Sequence, residues 1–262
     1  MFHPDMPAPP RSHWSTIDVG GHACETYAPP DALPGRALIY LHDAGGRRLE
    51  DVPALRDLVE AARLPVLGPR VGASWWLDRI VSVFDARVTP ERFVVDAIRA
   101  EAGRRFGVQP PGIALLGLGM GGQGALRLAY RHPAVFPVAA AIEPAIDFHA
   151  AMRDSHERVD GAHYELLWEV YGDVERARQD TAILHVHPLN WPRHQFFASD
   201  PDDPHGHDGA VRLHSKLTAL GIPHRALLQG RGGHADTFVD WVAADAMRFL
   251  LDALDGESRR SA

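Results

Sequence analysis

At 262 residues, 45 % hydrophobic and 23 % charged, the chain has an ordinary globular composition with enough apolar side chain for a large core, as one domain or two small ones. Its 27 basic and 34 acidic residues give a net charge of −7, and no basic stripe stands out, which speaks against a nucleic-acid partner. One cysteine, Cys24, excludes an internal disulfide, and no run nears the roughly 18 apolar residues that would span a bilayer.

Residues 1–16 hold Pro4, Pro7, Pro9 and Pro10 and lack an apolar h-region, so they read as a loose arm rather than a secretory signal. A cytoplasmic protein is expected. Short apolar, β-branched runs then alternate with segments of helical period, the pattern of βαβ units on a mostly parallel sheet. Strands are predicted at His22–Tyr27, Ala37–His42, Pro65–Pro69, Ile113–Leu118, Val135–Ile142, Gln195–Ser199 and Arg225–Gln229. Helices are predicted at Leu49–Arg63, Pro90–Phe106, Met120–Arg131, Tyr164–Arg178, Asp208–Leu220 and Thr237–Leu254. Thr89-Pro90 marks a helix start, with an N-cap threonine and proline in the first turn, and Gly221 followed by Pro223 marks a stop. No linker divides the chain, so residues 17–256 read as a single α/β domain with a short tail at 257–262. Segments around Asp147–Glu165 and Thr181–Arg193 fit the alternation poorly and suggest a small cap or a pocket-lining excursion within 147–193.

The run from Gly112 to Leu126 carries the functional signal. It reads as an apolar strand, a glycine-dense turn and a helix, the setting of the nucleophile elbow G-x-S-x-G. The frame Gly117-x-x-x-Gly121 is intact, but Gly119 stands where the serine would be. Ligands bind beyond the carboxyl ends of the strands in open α/β sheets, and nucleophile, acid and histidine follow in that order along a hydrolase chain of this type. Downstream, the predicted strand Gln195–Ser199 ends in Asp200-Pro201-Asp202-Asp203-Pro204. The strand Arg225–Gln229 ends in Gly230-Arg231-Gly232-Gly233-His234. An acid and a histidine therefore stand in the required places.

From Leu38-Ile39-Tyr40-Leu41-His42 to Gly232-Gly233-His234 the chain resembles the esterase branch of the α/β-hydrolase superfamily, the group of esterase D-like and S-formylglutathione-hydrolase-like enzymes. The most specific piece is Met120-Gly121-Gly122-Gln123-Gly124-Ala125-Leu126-Arg127-Leu128-Ala129-Tyr130-Arg131-His132-Pro133. The resemblance implies an α/β-hydrolase fold and hydrolysis of small acyl or aryl esters by a serine mechanism. It places Gly119 at the nucleophile position, Asp203 as the acid, with Asp200 and Asp202 as near alternatives, and His234 as the base. It puts the oxyanion-hole N–H groups on Met120 and Ala44. Many relatives carry glycine after the histidine of the oxyanion loop, where this chain has Asp43.

A glycine cannot attack a carbonyl, so a second reading stands beside the first: a non-catalytic descendant whose pocket binds a small ligand or partner. Cys24, on an early strand, is remote from the elbow in sequence. Ser74 follows the strand Pro65–Pro69 but reads as a turn residue beside Trp75 and Trp76. Those tryptophans read either as walls of an acyl pocket or as packing. The pairs His185/His187 and His205/His207 have spacing that would let each share a metal, but no cysteine accompanies them. No metal or cofactor is expected.

Overall fold

A computed structural model describes residues 13–157, 161–230 and 235–261. It contains eight strands: β1 (Trp14–Val19), β2 (His22–Tyr27), β3 (Ala37–Leu41), β4 (Val66–Pro69), β5 (Ile113–Leu118), β6 (Val138–Ile142), β7 (His194–Ala198) and β8 (Arg225–Leu227). They form one sheet in the order β1-β2-β4-β3-β5-β6-β7-β8. β1 and β2 run antiparallel to their neighbours, and all pairings from β4 through β8 are parallel.

Successive side chains on the central strands are buried on opposite faces, as the two-residue period of a strand requires. Ile39, Leu41, Leu115 and Ala139 join one core with Val94, Ala102 and Leu128. Leu38, Tyr40, Leu116, Ala140 and Phe196 join the other with Leu55, Val59, Val242 and Leu250. The second face is covered by α1 (Pro53–Ala62) and the terminal helix Ala235–Ser261. The first is covered by α2 (Pro90–Arg92), which runs through a π-type segment Phe93–Ile98 into α3 (Arg99–Phe106), and by α4 (Met120–Arg131). Thr89 Oγ1 accepts the Arg92 N–H at 3.1 Å, the cap read from Thr89-Pro90.

Between β6 and β7 run α5 (Phe148–Arg153), α6 (Glu165–Tyr171) and α7 (Val174–Arg178). One helix was expected over Tyr164–Arg178. Gly172 ends its first half in the left-handed region, and Asp173 caps the second through the Arg176 N–H. α8 (Pro204–Ala219) begins four residues before the expected Asp208, because Asp203-Pro204 is itself an N-cap and first-turn pair. The last helix is α9 (Ala235–Ser261).

Both expected chain ends need correction. The arm was expected to reach residue 16, but Trp14 already belongs to β1, which returns through a two-residue Gly20-Gly21 turn into β2. Trp14 is anchored by its indole N–H on Glu60 Oε1 at 2.6 Å and by its ring on Tyr27. A tail was expected from residue 257, but α9 continues to Ser261 because Glu257 is fully buried and faces Arg193 and His194. Arg193 Nε donates to Glu257 Oε1 at 2.7 Å. Glu257→Ala should therefore lower stability by about 1–2 kcal/mol, the size of lost charge-assisted hydrogen bonds discounted for half-exposed partners. A thermal melt unchanged by the substitution would show that α9 gains nothing from this anchor.

Candidate active site

β5 delivers the chain to the elbow. Leu118 closes the strand, Met120 opens α4, and Gly119 joins them with φ 54° and ψ −114°. Its N–H donates to Ile142 O at 2.9 Å, and its carbonyl accepts the N–H groups of Gln123 and Ala145, each at 3.1 Å. The neighbouring glycines are demanded by space. A Cβ on Gly117 would lie 2.0 Å from Gly121 O, and one on Gly121 would lie 1.9 Å from Leu41 O. Gly119 differs, because among the described residues a Cβ there would meet only the Asp43 Cβ, at an ordinary 3.7 Å. Residue 119 thus combines a positive φ with room for a Cβ, where its neighbours at 117 and 121 have none.

Such a conformation costs a residue with a Cβ about 1–3 kcal/mol, and the smaller unfolded-state entropy of serine offsets up to about 1 kcal/mol. Gly119→Ser is expected to cost on the order of 1 kcal/mol net, read by urea unfolding with an unchanged slope. A clearly more stable serine variant would contradict the strain at this position.

The loop His42-Asp43-Ala44-Gly45-Gly46 follows β3. His42 Nδ1–H donates to Asp43 O at 2.7 Å, and its Nε2 accepts the Val71 N–H at 3.2 Å. The ring is therefore neutral, in the Nδ1–H tautomer. Burial pushes its pKa below the ordinary histidine value, and the charge of Arg70 acts in the same direction. His42 O also accepts the Trp76 indole N–H at 3.2 Å. One neutral histidine so ties together the loop after β3, the segment after β4 and the Trp75-Trp76 turn. Ala44, the expected oxyanion donor of this loop, lies partly buried against the core. Met120, the other expected donor, adjoins Gly119, and its Sδ accepts the Trp75 N–H at 3.2 Å.

Trp75 and Trp76 are fully buried, both with positive φ. The Trp75 indole N–H donates to His163 O at 3.0 Å, and its ring packs on Phe148 and Tyr164. Trp76 lies so close to α4 that a Cβ on Gly124 would come within 2.7 Å of it. Of the two readings of this pair, burial supports packing beneath the site. Ser74 is buried too, and its Oγ accepts the Trp76 N–H at 3.4 Å, the bond of a turn residue. Burial pushes the Cys24 thiol up to about 12, which leaves it protonated and unreactive.

The acid cluster follows β7. Asp200 is buried, and its Oδ1 accepts the Asp202 N–H at 3.0 Å; Asp202 is exposed. Asp203 is half-buried, and its Oδ2 accepts the Gly206 N–H at 3.2 Å as the cap of α8. The connection from β8 to α9 approaches this cluster, since a Cβ on Gly230 would lie 3.2 Å from Pro201 Cδ. His234 belongs to that connection and lies outside the described residues, as do Arg231, Gly232 and Gly233. Two histidines weighed as metal ligands make local hydrogen bonds: His185 Nε2 lies 3.0 Å from Asp180 Oδ1, and the exposed His187 accepts the Leu189 N–H on Nδ1 at 3.1 Å. Among the described residues, no three His, Cys, Asp or Glu side chains are grouped to hold a metal ion.

A buried charged cluster, not expected from the sequence, braces α4. Arg127, on α4 and only 1 % exposed, sits between Glu91 of α2 and Asp180. Its Nη2 lies 2.6 Å from Asp180 Oδ1. Glu91 also takes Arg131 Nε and His132 Nε2, each at 2.8 Å, while Asp180 takes the Tyr171 hydroxyl at 2.8 Å. The signal was the i, i+4 spacing of Arg127 and Arg131 on one face of α4, with His132 just past its end; the acidic partners are remote in sequence.

The sheet order, the sharp turn between β5 and α4 and the loop after β7 define an α/β-hydrolase fold. Residues 91–187 match the Esterase family model. Among solved structures, the S-formylglutathione hydrolase of Agrobacterium tumefaciens aligns at a TM-score of 0.72 and 18 % identity, over 89 % of this chain and 90 % of that one. FphF, a fluorophosphonate-binding serine hydrolase of Staphylococcus aureus, aligns at 0.70 and 13 %, over 87 % and 92 %. The hyperthermophilic esterase of Pyrobaculum calidifontis aligns at 0.63 and 17 %, over 90 % and 84 %. At such identities the likeness establishes the fold. No curated protein sequence gives a match.

Proposed function

We propose that this chain belongs to the esterase branch of the α/β-hydrolases and carries a serine-carboxylesterase type of site for small acyl or aryl esters, with its nucleophile position held by Gly119. Asp203 is the acid and His234 the base, and the backbone N–H groups of Met120 and Ala44 face the oxyanion. The observation that carries this reading is the Gly119 backbone, left-handed with space for a Cβ. As it stands the chain has no side chain at 119 to form an acyl-enzyme, so its turnover is weak beside that of a serine-bearing enzyme. Loss of the serine from a well-studied protease triad costs about 10⁶ in turnover and leaves roughly 10³–10⁴ over water.

The same glycine supports a second reading, a pseudo-hydrolase that binds a small ligand in the retained pocket. On the first reading the substrate is a small-molecule ester, the second admits a small ligand or a partner, and the setting is the cytoplasm. Among the described residues, no helix is long and apolar enough to cross a membrane. The test is hydrolysis of a panel of p-nitrophenyl esters by the chain, its Gly119→Ser variant and that variant carrying His234→Ala. Gain with serine and loss with alanine support the esterase site. A folded serine variant no better than its parent on every ester leaves the binding reading.

A further inference from the structure

We infer that Arg47 is a positioning residue that makes an aspartate compatible with ester chemistry in the oxyanion loop, by drawing the Asp43 carboxylate off the elbow and neutralising it. This rests on the esterase reading of the site. Asp43 stands at a sensitive place. Its Cβ faces the elbow, 3.7 Å from where a Cβ on residue 119 would be. An unpaired carboxylate there would oppose the negative charge that develops on the substrate oxygen during acyl transfer.

The carboxylate is instead folded back into its own turn. Oδ1 accepts the Arg47 N–H at 3.0 Å, and Arg47 Nε lies 3.2 Å from Oδ2. The turn is closed by the Gly46 N–H on Asp43 O, also at 3.0 Å. Gly45 leaves the carboxylate its space, since a Cβ there would already be 3.4 Å from Oδ1. One residue four positions on therefore engages both oxygens, one through its backbone and the other through its charge. His42 contributes no compensating charge, because its ring is neutral and its Nδ1–H is committed to Asp43 O.

Arg47→Met in the Gly119→Ser chain tests this. Methionine keeps the backbone N–H and much of the aliphatic stem but removes the guanidinium. The expected result is a fall in kcat of about 10²-fold, the size of one lost oxyanion-hole donor, with KM within a few-fold. Adding Asp43→Asn, which removes the opposing charge and keeps the shape, should restore kcat. An Arg47→Met variant with undiminished kcat overturns the inference. So does a fall that Asp43→Asn fails to restore, which would make Arg47 a support for the loop alone. If the Gly119→Ser chain is inactive while Gly119→Ser with Asp43→Asn is active, Asp43 obstructs the site despite Arg47; the inference fails and the esterase reading stands. If every serine variant is folded, by its thermal melt, and inactive across the panel, the esterase reading fails and takes the inference with it.

Discussion

Replacing Gly119 with serine is expected to raise p-nitrophenyl acetate hydrolysis by at least about 10³-fold, a conservative part of the roughly 10⁶ that a triad serine is worth elsewhere. The magnitude follows from how little else must change. The φ of 54° already places residue 119 in the elbow conformation, and its carbonyl already receives the N–H groups of Gln123 and Ala145. The close glycines at 117 and 121 let β5 and α4 approach without a side chain between them. A serine hydroxyl would lie at the N-terminus of α4, where the helix dipole favours the developing negative charge. His42 holds the loop bearing Ala44 without charge of its own. The gain should appear in kcat with burst kinetics, the mark of an acyl-enzyme. It should vanish with His234→Ala. Any trace activity of the unmodified chain should likewise depend on His234 and survive Ser74→Ala within a few-fold; its loss through Ser74 would make that residue a relocated nucleophile.

What could be read from the sequence was local. The strand-turn-helix of 113–131 has the expected start and end because an apolar run, dense glycines and a helical period all agree there. The loop of aspartates between β7 and α8 was legible from strand ends, which the alternation of β and α segments marks well. β1 lies outside the expected strands although Val19-Gly20-Gly21-His22 is a hairpin sequence, because it adjoins a proline-rich segment. The split of α6 from α7 was likewise written in Gly172-Asp173. Other features had no local signature. Nothing in Gly72-Ala73-Ser74-Trp75-Trp76 decides between a pocket wall and a core, because indole burial depends on α4 and on Phe148 and Tyr164 coming to meet it. The Arg127 cluster joins residues 36 and 53 positions away, so only the folded chain shows it.

Arg127→Met should be among the most destabilising single changes outside the sheet core, at about 3 kcal/mol near neutral pH, the lower end of the range for breaking a buried ion pair. The lower end applies because neither acid is left alone. Glu91 keeps Arg131 and His132, and Asp180 keeps Tyr171 and His185. In this chain Tm should fall by about 6–12 °C. The loss should also depend on pH, with a definite sign. Burial works against ionisation of Glu91, but His132, Arg127 and Arg131 outweigh it and lower its pKa to about 2. Asp180 is likewise held well below the usual carboxylate range against its burial, by His185, Arg127 and Tyr171. For groups whose folded pKa is depressed, the stabilisation is fully present above the unfolded value of about 4 and is lost as pH falls through the folded one. Arg127→Met removes part of that depression. The gap between variant and parent, measured by urea unfolding, should therefore be widest at pH 7 and clearly narrower at pH 3. An equal gap at both would mean that Arg127 stabilises through the packing of its stem and not through its charge, and that α4 is held to α2 and Asp180 by shape alone.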